Sequence, residues 1–320
     1  MDPTESMLGN LAGGVIATAL DSHALIQVTG DDAHAFLQGQ FSNDLNDLNE
    51  TGDAANPVQC QLNAYCNPKG RVLAVMRLVR YDGGWGMIVP AGLADQLVSR
   101  LKMFVLRARV EIAPRPQTAL LGLINGAQCA GGRGLERVPV GGVVPRHMMI
   151  GEPQAVDSFM RANALEAAPG DGPWRLADIL SGIPQVYAQT AGQFIPQMIN
   201  LDRVGGLSFT KGCYPGQEIV ARLRYRGRVK QRMSAGVARG LAALAPGDPV
   251  HSDQHAGQKV GLVVDAVPTD RSRGEYAFSA TAPVQLSDGE TLRVGPVPGA
   301  AWTRIALPYE AAEAGEAGQE

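Results

Sequence analysis

Apolar residues recur along this chain at two periods, and the changes between them divide it into elements. Ala24–Thr29 (ALIQVT) reads as a strand closed by Gly30; Ala33, Phe36 and Leu37 then follow at helical spacing, with Asp31 or Asp32 as the N-cap. Residues 52–57 read as a loop, and the apolar runs at 58–62 and 71–80 are joined by Asn67-Pro68-Lys69-Gly70, which predicts a hairpin. Asp82-Gly83-Gly84 breaks the chain before a strand at Trp85–Val89, and Leu97, Leu101, Phe104 and Val105 predict a helix over 94–106. Strand, strand, helix in this order points to an α+β layer rather than an alternating parallel sheet.

Pro114-Arg115-Pro116 marks a boundary. Beyond it, short apolar runs at Ala119–Ile124 and Val143–Ile150 and a helical pattern over Pro153–Asn163 outline a second α+β unit. From about Gly236 the texture changes to short strands cut by Gly, Pro and Asp turns, which suits a small β-barrel. The expected fold class is therefore α+β. The expected domains are 1–115, completed by 185–234; then 116–184; then a C-terminal barrel over 235–308. Residues 309–320 form an acidic tail expected to be disordered.

Composition adds exclusions. With 320 residues, 45% hydrophobic and 18% charged, the chain is a folded protein of two or three domains rather than a disordered one. A net charge of -3 argues against general polyanion binding by the whole surface, so any anion site must come from local clustering. Four cysteines without a C-x-x-C pair leave no zinc ribbon and no disulfide framework, which suits a reducing compartment. The N-terminus carries Asp2 and Glu5 where a secretory leader needs positive charge, and there is no membrane-length apolar run. The expectation is a cytoplasmic protein without a membrane partner.

The segment Phe209–Met233 (FTKGCYPGQEIVARLRYRGRVKQRM) carries the chemistry. Pro215 suits the first position of a helix, with Gln217 and Glu218 in the first turn. Cys213 then sits before a helix start with Lys211 two residues away, which favours a thiolate. An inert, buried small hydrophobe is the other reading of Cys213, and the two stand side by side. Cys60, Cys66 and Cys129 lack this environment and read as inert. No histidine is singled out as a partner for a cysteine nucleophile.

Arg222, Arg224, Arg226, Arg228, Lys230 and Arg232 occupy every second position; in a strand all six would share one face and confront an anion. A solvated face is the bland alternative. Tyr225 is the one aromatic within the run, so a stacking platform is poorly supported; a small polyanion is preferred and direct nucleic-acid binding is disfavoured. Asn43-Asp44, and Asn200 with Asp202, lie at element ends, where either ligand contact or plain turn chemistry places such residues.

Lys211-Gly212-Cys213-Tyr214-Pro215-Gly216-Gln217-Glu218 resembles the K-G-C-[YF]-x-G-Q-E signature of the YgfZ family of folate-binding proteins, relatives of the glycine-cleavage T-protein, an aminomethyltransferase. Phe36–Asp44 (FLQGQFSND) resembles that family's F-L-Q-G-Q-x-[ST]-N-D block, and Pro196–Asp202 (PQMINLD) its P-Q-x-x-N-L-D lead-in. Gly257–Gly261 (GQKVG) is similar to a G-x-x-V-G turn in the T-protein's last domain.

The resemblance implies two α+β units and a C-terminal barrel around a central channel that accepts tetrahydrofolate or a derivative. It implies a role in assembly or repair of iron–sulfur enzymes, with an effect on tRNA modification through such an enzyme. Client enzymes or assembly proteins and folate are then the expected partners, and Cys213 is the functional thiol with Lys211 beside it. Cys213 would act as a transient cluster ligand or as a redox group, and no stable metal is expected, because a cluster needs about four ligands. Asn43, Asp44, Asn200, Asp202, Tyr214, Gln217, Glu218, Arg222, Arg224, Arg226 and Arg228 are the expected folate contacts.

Two departures from the T-protein pattern matter. Its G-G-x-x-D-D block is replaced by Lys69-Gly70-Arg71-Val72-Leu73-Ala74, without a carboxylate for proton transfer, and its G-Y-T-G-E segment is absent near Val143–Gly151. A conventional aminomethyltransferase is therefore not expected. A folate-dependent one-carbon transferase and a tRNA-binding module are carried as alternatives.

Overall fold

The computed structural model describes residues 3–48, 60–253, 258–285, 291–297 and 299–310. The loop expected at 52–57, the first residues of the strand expected from 58, Gly257 and the tail from 311 lie outside them.

In chain order the elements begin with α1 (Pro3–Ala12), β1 (Ile16–Ala19), β2 (His23–Thr29) and α2 (Ala33–Gln38). A hairpin follows, β3 (Cys60–Cys66) and β4 (Val72–Tyr81), then β5 (Gly84–Pro90), α3 (Ala91–Val105) and β6 (Glu111–Pro114). Next come β7 (Ala119–Ile124), β8 (Leu135–Val140), β9 (Arg146–Gly151), α4 (Pro153–Ala162), β10 (Ala167–Ala168) and α5 (Gly172–Ser181). After a long irregular stretch stand α6 (Gln217–Tyr225), β11 (Gln231–Ala238), β12 (Pro249–Ser252), β13 (Lys259–Asp270), β14 (Glu275–Pro283), β15 (Leu292–Val294) and β16 (Ala300–Ile305).

The first sheet has the order β3-β4-β5-β2-β6, with every neighbouring pair antiparallel. Helix α3 covers one face, burying Leu93, Leu97 and Leu101 on the four-residue repeat that predicted it. The second sheet runs β10-β1-β7-β9-β8. Residues 16–19 were expected within the first unit; instead they form β1 and pair with β7 of the second sheet. A four-residue strand of small side chains has too little pattern to show its partner, which lies a hundred residues on. Gly122 of β7 makes room for α5: a Cβ there would fall 2.5 Å from the Trp174 ring, so its absence lets the helix seat the indole on the sheet.

The C-terminal strands close as a barrel, β11-β14-β13-β12-β15-β16, with β16 returning to β11. Gly261 belongs to strand β13 rather than a turn, and glycine is required there because a Cβ would lie 1.8 Å from the Thr281 carbonyl oxygen.

Between the two sheets Asp178 of α5 meets two buried guanidinium groups, Arg77 of β4 at 2.6 Å and Arg146 of β9 at 2.8 Å. Burial opposes the charge of Asp178, but the two arginines outweigh it and hold its carboxyl below the usual range. Arg175, one turn earlier, forms an ion pair with buried Asp265 of β13 and so ties α5 to the barrel.

Candidate functional site

Three sequence blocks far apart in the chain converge. Phe41 and Leu45 are fully buried and seat the first block against β3. Ser42 Oγ donates to Gly206 O (2.7 Å), and Asn43 Nδ2 donates to Gly205 O (2.7 Å) and Leu62 O (3.1 Å). These bonds stitch the Phe36–Asp44 block to the glycine pair that follows Asp202. Asp44 caps a short 3₁₀ turn at Leu45–Asp47; burial opposes its charge, yet hydrogen bonds from Asn46 and Gln38 hold its pKa below the ordinary value.

The second block turns at Asn200, which has a left-handed backbone (φ 58) and donates through Nδ2 to Met233 O (2.8 Å) and Tyr309 Oη (2.7 Å). Asp202 accepts two hydrogen bonds from the Arg232 guanidinium, both 2.9 Å. Asn43, Asn200 and Asp202 thus spend their polar groups inside the protein. Their immediate role in the fold is turn and packing chemistry.

Lys211 was expected to stabilise a Cys213 thiolate. Its ammonium instead donates to three backbone carbonyls of the first block: Gln38 at 2.7 Å, Phe41 at 2.6 Å and Asn43 at 2.7 Å. All three N–H groups of an ammonium are consumed, leaving none for the sulfur. Burial lowers the Lys211 pKa to about 8, partly countered by Asp44.

Beyond this anchor Cys213 is exposed, the only exposed one among the four free cysteines. Tyr214 is buried, with the Lys211 ammonium 5.5 Å from its ring centroid, and burial pushes its phenol up. Gly216, not Pro215, caps α6, so the helix starts two residues later than the proline suggested. Gly216 has φ 82, and a Cβ there would lie 2.6 Å from Asn67 O and 2.7 Å from Gly70 Cα. The Asn67–Gly70 turn is therefore pressed against the start of α6. Gln217 is half-buried and Glu218 exposed in that first turn.

The basic run does not form one strand face. Arg222 and Arg224 lie in the last turn of α6, Arg226 ends the helix, Arg228 and Lys230 lie in the connecting loop, and only Arg232 reaches β11. The turn ahead of Gly216 starts a helix that runs into the run, and a spacing of two on a helix scatters residues around it. Arg224 packs over the Phe209 ring at 4.4 Å yet is exposed, as are Arg222, Arg226, Arg228 and Lys230. Arg224, Arg228, Lys230 and Arg232 line a cleft of about 720 Å³ that also takes in Gln197.

A second cavity, about 650 Å³, lies between α1, the start of α5 and β13. Its walls are mainly apolar, including Leu11, Ile16, Leu176 and Val267, with Asp171, its ion-pair partner Arg175 at 3.8 Å, and the exposed Arg271 among them. Asp171 accepts a hydrogen bond from Ser22. Asp171 was not singled out in the sequence, because nothing local distinguishes it from a helix-capping residue. Among the described residues no group of three or more His, Cys, Asp or Glu is placed to hold a metal ion, and no helix is long and apolar enough to cross a membrane.

No family model matches the chain. It is 30% identical over 311 residues to the tRNA-modifying protein YgfZ of Photobacterium profundum, covering 91% of this chain and 90% of that one. This chain belongs to the YgfZ family. The YgfZ protein of Cronobacter sakazakii is similar at 29% identity over 316 residues, covering 92% of this chain and 93% of that protein. Among solved structures, the glycine cleavage system aminomethyltransferase T from Bartonella henselae superposes with a TM-score of 0.67 at 13% identity, covering 96% of this chain and 89% of that one. The YgfZ chain described here therefore has the T-protein fold, α+β with a closed C-terminal barrel.

Proposed function

We propose that this protein is a tetrahydrofolate-binding accessory factor that supports iron–sulfur enzymes, among them one that modifies tRNA, and that Cys213 is its working thiol. The observation that carries the thiol reading is the contrast within one loop: Lys211 is locked to three carbonyls while Cys213, two residues on, stands exposed. An accessible thiol beside an anchored residue suits exchange with a partner protein. One such thiol shares a cluster with other ligands rather than holding it alone. The relatives' names support the link to tRNA modification.

The cavity beside α5 fits a folate-type ligand. Its apolar walls suit the fused ring and benzoyl group, the Asp171 carboxylate would accept N–H groups of the ring, and Arg271 would take a tail carboxylate. Tetrahydrofolate supplies one-carbon chemistry when bound. Aminomethyl transfer is not part of the proposal, because the turn at Lys69–Ala74 offers no carboxylate as proton acceptor.

Two measurements test this reading. Calorimetric titration with tetrahydrofolate under anaerobic conditions should show binding that Asp171→Asn weakens at least about tenfold while the melting temperature holds, a loss of about 1.4 kcal/mol or more. Absence of binding ends the folate part. For the thiol, Cys213→Ser should fail to restore iron–sulfur enzyme activity in a deletion strain, and full restoration would remove Cys213 from the mechanism.

A further inference from the structure

We infer that the cationic cleft at the end of α6 continues across the barrel as a groove that binds single-stranded RNA. This goes beyond the accessory role proposed above and does not depend on the folate cavity, with which the groove shares no lining residue. The cleft of about 720 Å³ and a neighbouring trench of about 390 Å³ have Arg203, Arg232 and Val284 in common, so they form one continuous depression.

The charges in it are strung out rather than convergent. Arg224, Arg228 and Lys230 lie at one end, Arg203 and Arg232 in the middle, and Arg304 at the other. Arg304 stands opposite Gly236, four residues along β11 from Arg232, which is about 14 Å at ~3.4 Å per residue. A small anion would span only one end of this row, whereas a chain of phosphates can follow it along its length. The carboxylates among the lining residues are Asp202 and Glu310, already paired with Arg232 and Arg304, so the groove keeps a positive surplus. Arg228 and Lys230 are exposed and have no ion-pair partner among the described residues.

Two further features point to unpaired bases. Trp302 of β16 lines the trench, its ring 5.0 Å from that of Phe278, and Leu223, Val229 and Val284 add apolar surface in the cleft. Trp302 is half-buried and, opposite Ala238, lies just beyond Arg304 at the end of the row of cations; an aromatic ring there is what a splayed base stacks on, whereas a duplex presents backbone and hides its base faces. Gln197 lines the cleft, is 2% exposed, and donates through Nε2 to Val220 O (2.7 Å), which leaves its buried Oε1 without a hydrogen-bond partner. A base amino group or ring N–H would reach that buried oxygen once the Gln197 side chain turns toward the cleft. The sequence argued against nucleic acid because the basic run holds one aromatic; the barrel contributes the missing one from seventy residues downstream.

The test is fluorescence anisotropy of the full chain with a labelled 12-nucleotide single-stranded oligoribonucleotide and, separately, with a hairpin duplex of the same composition, at 50 to 300 mM salt. Single-strand binding should weaken with salt with a slope of about -2 to -3, the value for three or four phosphate contacts. Arg228→Glu with Lys230→Glu should weaken it at least about tenfold and flatten the slope, and Trp302→Ala should weaken it several-fold with the slope unchanged. Saturating tetrahydrofolate should leave the RNA affinity as it was. No binding at 50 mM salt, equal affinity for the duplex, indifference to the charge reversals, or displacement by tetrahydrofolate would overturn the inference. A failure of tetrahydrofolate to bind, with RNA bound as expected, would count against the folate reading alone.

Discussion

The Lys211 ammonium lies 2.7 Å from the carbonyl oxygen of Asn43, a residue 168 positions earlier, and through that contact two separated sequence blocks become one structural unit. The Cys213 loop takes its shape from the first block as much as from its own residues. The lysine is therefore a positioning residue, and its partners Gln38, Phe41 and Asn43 offer backbone rather than side-chain oxygens.

Replacing Lys211 by methionine should cost about 2–4 kcal/mol of stability, since it leaves three inward carbonyls without a donor. Urea unfolding measures this. A change under about 0.5 kcal/mol would mean the loop holds its shape without the ammonium.

Asp178→Asn should be among the most destabilising single changes, about 3–5 kcal/mol, because Arg77 and Arg146 would be left as buried like charges with no countercharge. Thermal unfolding should show a large drop in melting temperature for it. Asp31→Asn serves as control: that carboxylate pairs with Arg109 at the surface and should matter little.

His23 supplies a pH dependence. Burial, reinforced by the Arg77 cation, lowers its pKa from 6.5 to about 4, so the folded protein keeps the ring neutral where the unfolded chain protonates it. The unfolded state binds more protons between those values. Stability from the neutral ring is complete above pH 6.5 and is lost as pH falls toward 4. His23→Gln should therefore show a shallower decline in melting temperature between pH 6.5 and 4.5 than the parent protein, and parallel declines would assign the acid sensitivity to carboxylates.

Alkylation of the native protein should modify one thiol quickly. Burial pushes the Cys66 thiol up to about 12 and that of Cys60 up to about 11, and Cys129 is buried, whereas Cys213 is exposed. Mass spectrometry should find a single fast adduct at about pH 8 that Cys213→Ser abolishes. Rapid labelling of Cys60 or Cys66 would show that the interior opens readily.

Local periodicity determined much of this protein. The hairpin around Asn67–Gly70, the apolar repeat of α3, the β7 strand and the turn-rich barrel texture all follow from spacing that neighbouring residues create among themselves. The K-G-C-Y-P-G-Q-E motif and its companion blocks pointed to the family and fold by resemblance. Tertiary structure decided what depends on distant partners. Spacing alone allowed the alternating arginines to be a strand; the turn at Gly216 packed against Gly70 makes them the end of a helix and a loop. The three carbonyls that take the Lys211 ammonium, the pairing of Asp202 with Arg232, and the placement of Trp302 beside the basic groove each join residues tens of positions or more apart. A side chain's local pattern sets which element it sits on, while the charge or hydrogen-bonding group that answers it is chosen by how the sheets and barrel pack.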